Sequence, residues 1–371
     1  MDEIFVARLL FATTASVHYL FVAITLGLTP ILATAYTWSA MRRRRAPESV
    51  EIVSRLYVAN YGFGIVAGLV MELQMSMLWT GAGTDVYSPI AGMLALETVV
   101  AFFLESTLLG LWLAGRDLLP VWVQAAIFWG IVLTAYASAI FIVTANSYLH
   151  NPLAVPVLDA AGFAALLFRP ATLWPLVHIA SSSLVVGAFW CAAVGATRVR
   201  SGEAEMGRRL VRTGVFVATA ASPVMVMAGF SQFGSVRPDG VASAPAWGDG
   251  LIDAMITAGS LILVMTWFVV LPLTLTNRIY RKSWMLSSLR YGVAVPMTVV
   301  VLGWVGREVS RQPWFIVGKV RIEDAASPIG AAPLVVASVL FVALSVGTLV
   351  LAAGAFRRIF RGVPVLQRSA A

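Results

Sequence analysis

Apolar residues run through this chain in nine long stretches separated by short polar connections. The stretches cover roughly residues 11–37, 56–79, 92–114, 121–145, 173–196, 210–230, 251–275, 290–309 and 333–356. Most approach or exceed the about 20 residues that a helix needs to cross the hydrocarbon core of a bilayer. A backbone in lipid must satisfy its own hydrogen bonds, so the stretches are predicted to be helices. No repeat, low-complexity tract or soluble linker interrupts them. The expected fold is an all-α polytopic membrane bundle of about nine transmembrane helices, with residues 1–371 forming one integral membrane domain.

Composition strengthens this reading. Hydrophobic residues make up 59% of the 371 and charged residues 12%, more apolar surface than one soluble core could bury. The first stretch carries Arg8 and no small-residue cleavage site, which reads as a retained helix. The single Cys191 excludes an internal disulfide and reads as a small buried residue. Basic residues segregate by side. With the N-terminus outside, the inner connections hold Arg42–Arg45, Arg55, Arg116 and the clusters Arg198–Arg212, Arg278–Arg290 and Arg357–Arg368. These are 19 of the 26 Lys and Arg, a positive-inside bias. The tract Arg42–Arg45 therefore reads as a topology signal, and no nucleic-acid partner is expected.

Against that background the polar residues inside the stretches stand out. Glu72, Glu97, Glu105 and Glu308 fall within or at the rim of apolar runs, as do His18 and His178, two of the three histidines. A carboxylate in hydrocarbon costs several kcal/mol, so such residues usually mark an ion path, a proton relay or a cofactor. The topology puts His18 about a third of the way along the first helix and Glu308 in the last turn of the eighth. It puts His178 and Met255 in the second turns of the fifth and seventh. At a rise of about 1.5 Å per residue, all four lie within roughly 12 Å of the outer face. Imidazole, thioether and carboxylate are all possible axial ligands of haem iron, and a His/Met pair is a low-spin, electron-transfer arrangement. Spacing alone leaves open that His178 is a packing residue and Met255 core filler.

Glu97 and Glu105 lie about 80° apart around a regular helix and can line one proton pathway stepwise. Ser138 and Asn146 repeat that spacing on the fourth helix and continue a polar file. Two outer connections are long enough to carry function. One, 146–172, begins Asn146-Ser147-Tyr148-Leu149-His150-Asn151-Pro152 and reads as a structured loop. The other, 231–250, is rich in Gly, Pro, Ser and Ala.

Several motifs carry a family resemblance. They are Arg8-Leu9-Leu10-Phe11-Ala12 through His18, Gly68-Leu69-Val70-Met71-Glu72-Leu73-Gln74, and Glu97 followed by Phe102-Phe103-Leu104-Glu105-Ser106-Thr107. Ala145-Asn146 with Asn151-Pro152, Val177-His178, and Glu308-Val309-Ser310-Arg311-Gln312-Pro313-Trp314 complete the set. Together they closely resemble subunit I of cytochrome bd-type terminal oxidases, following helices one to eight in order. Nine helices is that family's number.

The resemblance implies a quinol:O2 oxidoreductase of a prokaryotic cell membrane. Electrons from quinol would pass through a low-spin haem b to two high-spin haems, where O2 is reduced to water with protons from the inner side. His178 and Met255 match the axial pair of the low-spin haem b. His18 and Glu308 match the ligands of the high-spin pair, haem d and a second haem b, with the order between them open. Trp304 matches an aromatic placed among the haems, and Arg8, Arg307 and Arg311 are expected to pair with haem propionates. Glu97, Glu105 and Ser138 match positions associated with proton uptake. The implied partners are a second membrane subunit (subunit II), small accessory subunits and membrane lipid.

The chain departs from the family's pattern where quinol is oxidised. The family's loop between helices six and seven is long and hydrophilic and carries a Lys and a Glu that engage quinol. Here the corresponding stretch, Phe230 to Gly250, has neither, so 231–250 is a shortened outer loop with Arg237 and Asp239 as its cation and proton acceptor. Asp253 stands where a basic residue is usual, and Ser310 replaces a Gly. Two alternatives therefore stay open: a bd-like oxygen reductase with a non-quinol donor, and a non-catalytic haem sensor or transporter.

Overall fold

Hydropathy and the needs of a backbone in lipid account for nearly all of the architecture. The computed structural model describes residues 3–153, 160–233 and 246–362, and the backbone alone at 82–89, 101 and 246. Among the described residues, nine helices are long and apolar enough to cross a membrane. They are α1 (Glu3–Met41), α2 (Glu48–Leu78), α3 (Ile90–Gly115), α4 (Val121–His150), α5 (Pro170–Arg200), α6 (Ala204–Ser231), α7 (Trp247–Leu275), α8 (Ser283–Ser310) and α9 (Ala331–Phe360). The expected all-α membrane bundle is therefore found.

Most of the helices outrun the apolar stretches that predict them. The end of α4 shows this most clearly. The sequence predicts a loop from residue 146, yet the helix continues to His150. Asn146, Ser147 and His150 all hydrogen-bond to other elements. The helix stops at Asn151-Pro152, as the residue before a proline is biased away from helical dihedrals. Arg169, just before α5, donates to the carbonyls of Ser147 and Asn151, both at 2.6 Å, and so satisfies carbonyls left free at the end of α4. Burial holds its guanidinium below the ordinary pKa. The longer helices also move His178 and Met255 from the predicted second turn to the third.

α5 is the central helix. Of its most apolar window, 78% is buried within the chain, against 12% for α3 and 17% for α7 and α8. It packs along α6 after a turn in which Gly202 adopts φ +93°, a conformation that costs glycine little. Small residues bring the backbones together. A Cβ on Gly27 of α1 would stand 2.0 Å from the Ser183 carbonyl oxygen on α5, and one on Gly195 would stand 2.6 Å from the Gly207 carbonyl oxygen on α6. The largest core cluster joins Leu28, Leu56, Tyr57, Phe128, Val186 and Val194 from α1, α2, α4 and α5.

The two ends of the bundle differ in charge. At one, Arg198 pairs with Glu203 at 2.8 Å and reaches the Ile359 carbonyl at 3.1 Å, while Arg212 bonds Asn277 at 3.0 Å. The basic clusters around Arg198–Arg212, Arg278–Arg290 and Arg357–Arg361 thus meet on one side. At the other end lies an unexpected antiparallel hairpin, β1 (Trp314–Ile316) and β2 (Val320–Arg321), followed by a short helix, Ile322–Ala325. Two spans contain π-helical turns, Val99–Glu105 in α3 and Thr266–Val270 in α7. Such turns are rare and occur often at functional sites.

Candidate functional site

The candidate iron ligands sit in the half of the bundle opposite the basic end. His178 and Met255 line one cavity of about 440 Å³, together with Tyr19, Trp304 and Arg307. That volume is in the range of small-molecule and cofactor sites. The His178 Nδ1 lies 2.8 Å from the Met225 carbonyl, which fixes the proton on Nδ1 and leaves the Nε2 lone pair free for a metal. Glycines make room for both side chains. A Cβ on Gly229 would stand 3.1 Å from the His178 ring, and one on Gly303 would stand 2.3 Å from the Met255 sulfur. His18 repeats the arrangement on α1, with Nδ1 3.2 Å from the Gly64 carbonyl and its ring against Gly68 of α2. It lines neither this cavity nor the next.

A second cavity, of about 100 Å³, is lined by Arg8, Trp79, Trp304, Glu308, Arg311 and Gln312 among others. Trp304 faces both cavities and stands between them. Both Glu308 oxygens are engaged: Oε1 accepts from Asn146 at 2.7 Å and Oε2 from Arg311 at 2.6 Å. Arg307 Nε donates to the Asn146 side-chain Oδ1 at 2.9 Å, and Arg8 donates to Gln312. Even so, among the described residues the buried Arg8 Nε, Arg307 Nη1, Arg311 Nε and both ends of the Gln74 amide have no partner. Three guanidinium groups and one carboxylate leave an excess of positive charge. Unpaired buried donors of that sign fit the carboxylates of an anionic cofactor.

Sequence reasoning missed three residues that hold this end together. Asn146 bridges Glu308 and Arg307, a role that neither its place in a polar file nor the Ala145-Asn146 motif reveals. His150 is 3% exposed, with Nδ1 3.0 Å from the Asn146 carbonyl and Nε2 3.0 Å from the Arg307 carbonyl, and so clips α4 to α8. Gly303 makes room for Met255. None has a local signal, because each role depends on a residue more than 40 positions away.

Of the acids of α3, Glu97 stands in the first third of the span and Glu105 lies two turns closer to the basic end. Ser138 donates to Glu97 at 2.8 Å, which joins α3 to α4. Tyr57 of α2 donates to Glu105 at 2.7 Å, and Glu105 is 3% exposed. The π-helical turns between the two acids change the expected 80° offset of a regular helix, so Glu97 turns toward α4 and Glu105 toward α2. Each remains within electrostatic range of another acid, Glu105 of Glu97 and Glu97 of Glu72. Glu72 itself is exposed on the surface of the chain within the α2 span. Arg237 and Asp239 lie outside the described residues. The flanking Gln232, Asp249 and Asp253 line the larger cavity.

A nine-helix bundle with imidazole, thioether and buried guanidinium groups around such cavities is an integral membrane protein with the donor chemistry for haem. The chain belongs to the cytochrome bd terminal oxidase subunit I family, which it matches over residues 6–238 and 251–364. Membership brings haem cofactors with it. The cytochrome bd ubiquinol oxidase subunit 1 of Bacillus subtilis is 29% identical over 54% of this chain and 44% of that protein. The cytochrome bd-II ubiquinol oxidase subunit 1 of Escherichia coli is 30% identical over 53% of this chain and 39% of that protein. The match thus spans less than half the length of these two curated relatives. The structure of bd oxidase from Geobacillus thermodenitrificans shares the fold, with a TM-score of 0.83 at 20% identity, covering 98% of this chain and 99% of that one.

Proposed function

We propose that this chain is the haem-bearing subunit of a bd-type terminal oxidase of a prokaryotic cell membrane, passing electrons from quinol to O2. The observation that carries the reading is the pairing of His178 and Met255 on one cavity, with the His178 Nε2 left free. These two side chains hold a low-spin haem b. His18 and Glu308 hold the two high-spin haems, one haem b and one haem d. Bound there, the haems supply electron transfer and the four-electron reduction of O2 to water. Arg8, Arg307 and Arg311 receive the propionates on their unpaired N–H groups, and Trp304 keeps the two cavities apart.

Protons reach the site from the inner side through Glu105, Glu97 and Ser138, whose oxygens pick up and release a proton in turn. The basic end faces the cytoplasm by the positive-inside rule, which sets the N-terminus outside. Exposure of Glu72 within the α2 span supports a second membrane subunit that covers it, since a lipid-facing carboxylate is costly. Small accessory subunits complete the assembly. Gln232, Asp249 and Asp253 place hydrogen-bonding groups on the wall of the Met255 cavity, where a quinol's hydroxyls are met. A second reading, a bd-like reductase with another donor, is favoured by one observation: Phe230 to Gly250 contains neither Lys nor Glu.

A reduced-minus-oxidised spectrum of the purified complex tests these readings, together with O2 consumption driven by quinol and by other reductants. The expected result is a low-spin b band, a red-shifted haem d band and quinol-driven O2 consumption. The His178→Ala and Met255→Leu variants are each expected to lose the low-spin band and keep part of the others. A b-type spectrum without O2 consumption would point to a sensor, and a haem-free protein to a transporter.

A further inference from the structure

Glu105 is the one buried Asp or Glu among the described residues, and its hydrogen-bond donor is a phenol. Tyr57 is fully buried, with its hydroxyl 2.7 Å from Glu105 Oε1 and its ring against Phe128 and Tyr61. The Tyr61 hydroxyl lies 2.9 Å from Ser106, the residue after Glu105, and is in electrostatic range of both Glu105 and Glu97. A second hydroxyl pair lies one turn closer to the basic end. Ser54, three residues before Tyr57 and so on the same face of α2, is 3.1 Å from the Tyr36 hydroxyl. The Tyr36 ring stacks on Phe128, 4.7 Å away, so one aromatic wall carries both tyrosines. Tyr36 is also in electrostatic range of Glu51 and Arg116, which belong to the basic end.

A buried phenol needs only one partner, and any carbonyl would serve. Here the partner is instead a buried acid, 3% exposed, with further hydroxyls stepping toward the charged surface through a core of Leu56, Trp112 and Phe128. We propose that Tyr57 is the hydroxyl through which Glu105 receives its proton, fed along α1 and α2 by the Tyr36–Ser54 pair. The Glu105 carboxylate takes the Tyr57 proton while the Tyr57 oxygen takes one from the Ser54 side. One O–H bond breaks and one forms at Tyr57, which therefore ends neutral. This rests on the proton-uptake reading above and adds to it an intake limb contained within this chain.

The test is Tyr57→Phe in the assembled, haem-loaded complex. Haem spectra are expected to be unchanged and O2 consumption to fall about fivefold or more, with a larger solvent deuterium isotope effect. The double variant Tyr57→Phe/Glu105→Gln is expected to be no slower than Glu105→Gln alone. In the infrared, the carbonyl band that Glu105→Gln removes is expected to shift in Tyr57→Phe. Wild-type turnover in Tyr57→Phe would overturn the proposal. So would loss of haem, or a double variant slowed by the full product of the two single effects. If the wild-type complex consumes no O2, the oxidase reading falls instead, and an unshifted carbonyl band overturns the Tyr57–Glu105 link separately.

Discussion

Gly303 offers a test of the low-spin site that leaves both proposed ligands in place. In Gly303→Ala the new Cβ would stand 2.3 Å from the Met255 sulfur. Non-bonded heavy atoms sit comfortably at about 3.5–4.0 Å, so the sulfur must withdraw by more than about 1 Å. Metal–ligand distances tolerate shifts of only about 0.2 Å, so Met255 cannot keep an iron bond at the present helix spacing. Overpacking of this kind costs about 1–3 kcal/mol, and the better helix propensity of Ala offsets up to about 1 kcal/mol of that. The bundle is therefore expected to survive while the axial ligand is lost. The assay is the reduced-minus-oxidised spectrum with low-temperature paramagnetic resonance, read as conversion of low-spin to high-spin haem b. Gly354→Ala is the control, since a Cβ there meets nothing within 4 Å. A full low-spin signal at an unchanged midpoint potential in Gly303→Ala would refute the assignment of Met255.

Two further outcomes follow from the polar contacts. Asn146→Ala leaves a Glu308 oxygen and the Arg307 Nε without their shared partner and is expected to destabilise the bundle by about 2–3 kcal/mol, with loss of haem from the Glu308 site. Unchanged thermal unfolding and haem content would count against that bridge. Glu105→Gln and Glu97→Gln keep the side-chain shape but carry no transferable acid proton, so turnover is expected to fall about tenfold or more with all haems bound. Wild-type turnover and unaltered charge separation in proteoliposomes for both variants would remove α3 from the proton path.

The membrane made the fold legible. Because only helices and closed barrels satisfy a backbone in lipid, nine apolar stretches sufficed to place nine helices in order. Boundaries were less readable, since Asn146 to His150 look like a loop until their partners on α5 and α8 are known. Within the site, the acids and histidines stood out because apolar surroundings make them costly. Met255 carries no such cost, and only its depth in the same outer layer and the family resemblance point to it. Tyr57 and Gly303 were invisible for a plainer reason: a tyrosine or glycine in an apolar run is ordinary, and its role exists only opposite Glu105 or Met255. The π-helical turns of α3 likewise leave no trace in a hydropathy pattern, although they decide which neighbour each acid meets.

The scattering of these side chains over separate helices also bears on how such a protein is made. Synthesis delivers the imidazoles early, His18 on α1 and His178 on α5, while Met255 and Glu308 arrive only with α7 and α8. The glycine contacts among α1, α5 and α6 let those helices associate in the bilayer as soon as they are inserted. α7 and α8, by contrast, bury only 17% of their most apolar windows in the rest of the chain. A nascent chain paused after α6 thus carries both imidazoles but neither Met255 nor Glu308. On the proposed assignment, the second axial ligand of the low-spin haem comes within reach only once α7 is inserted.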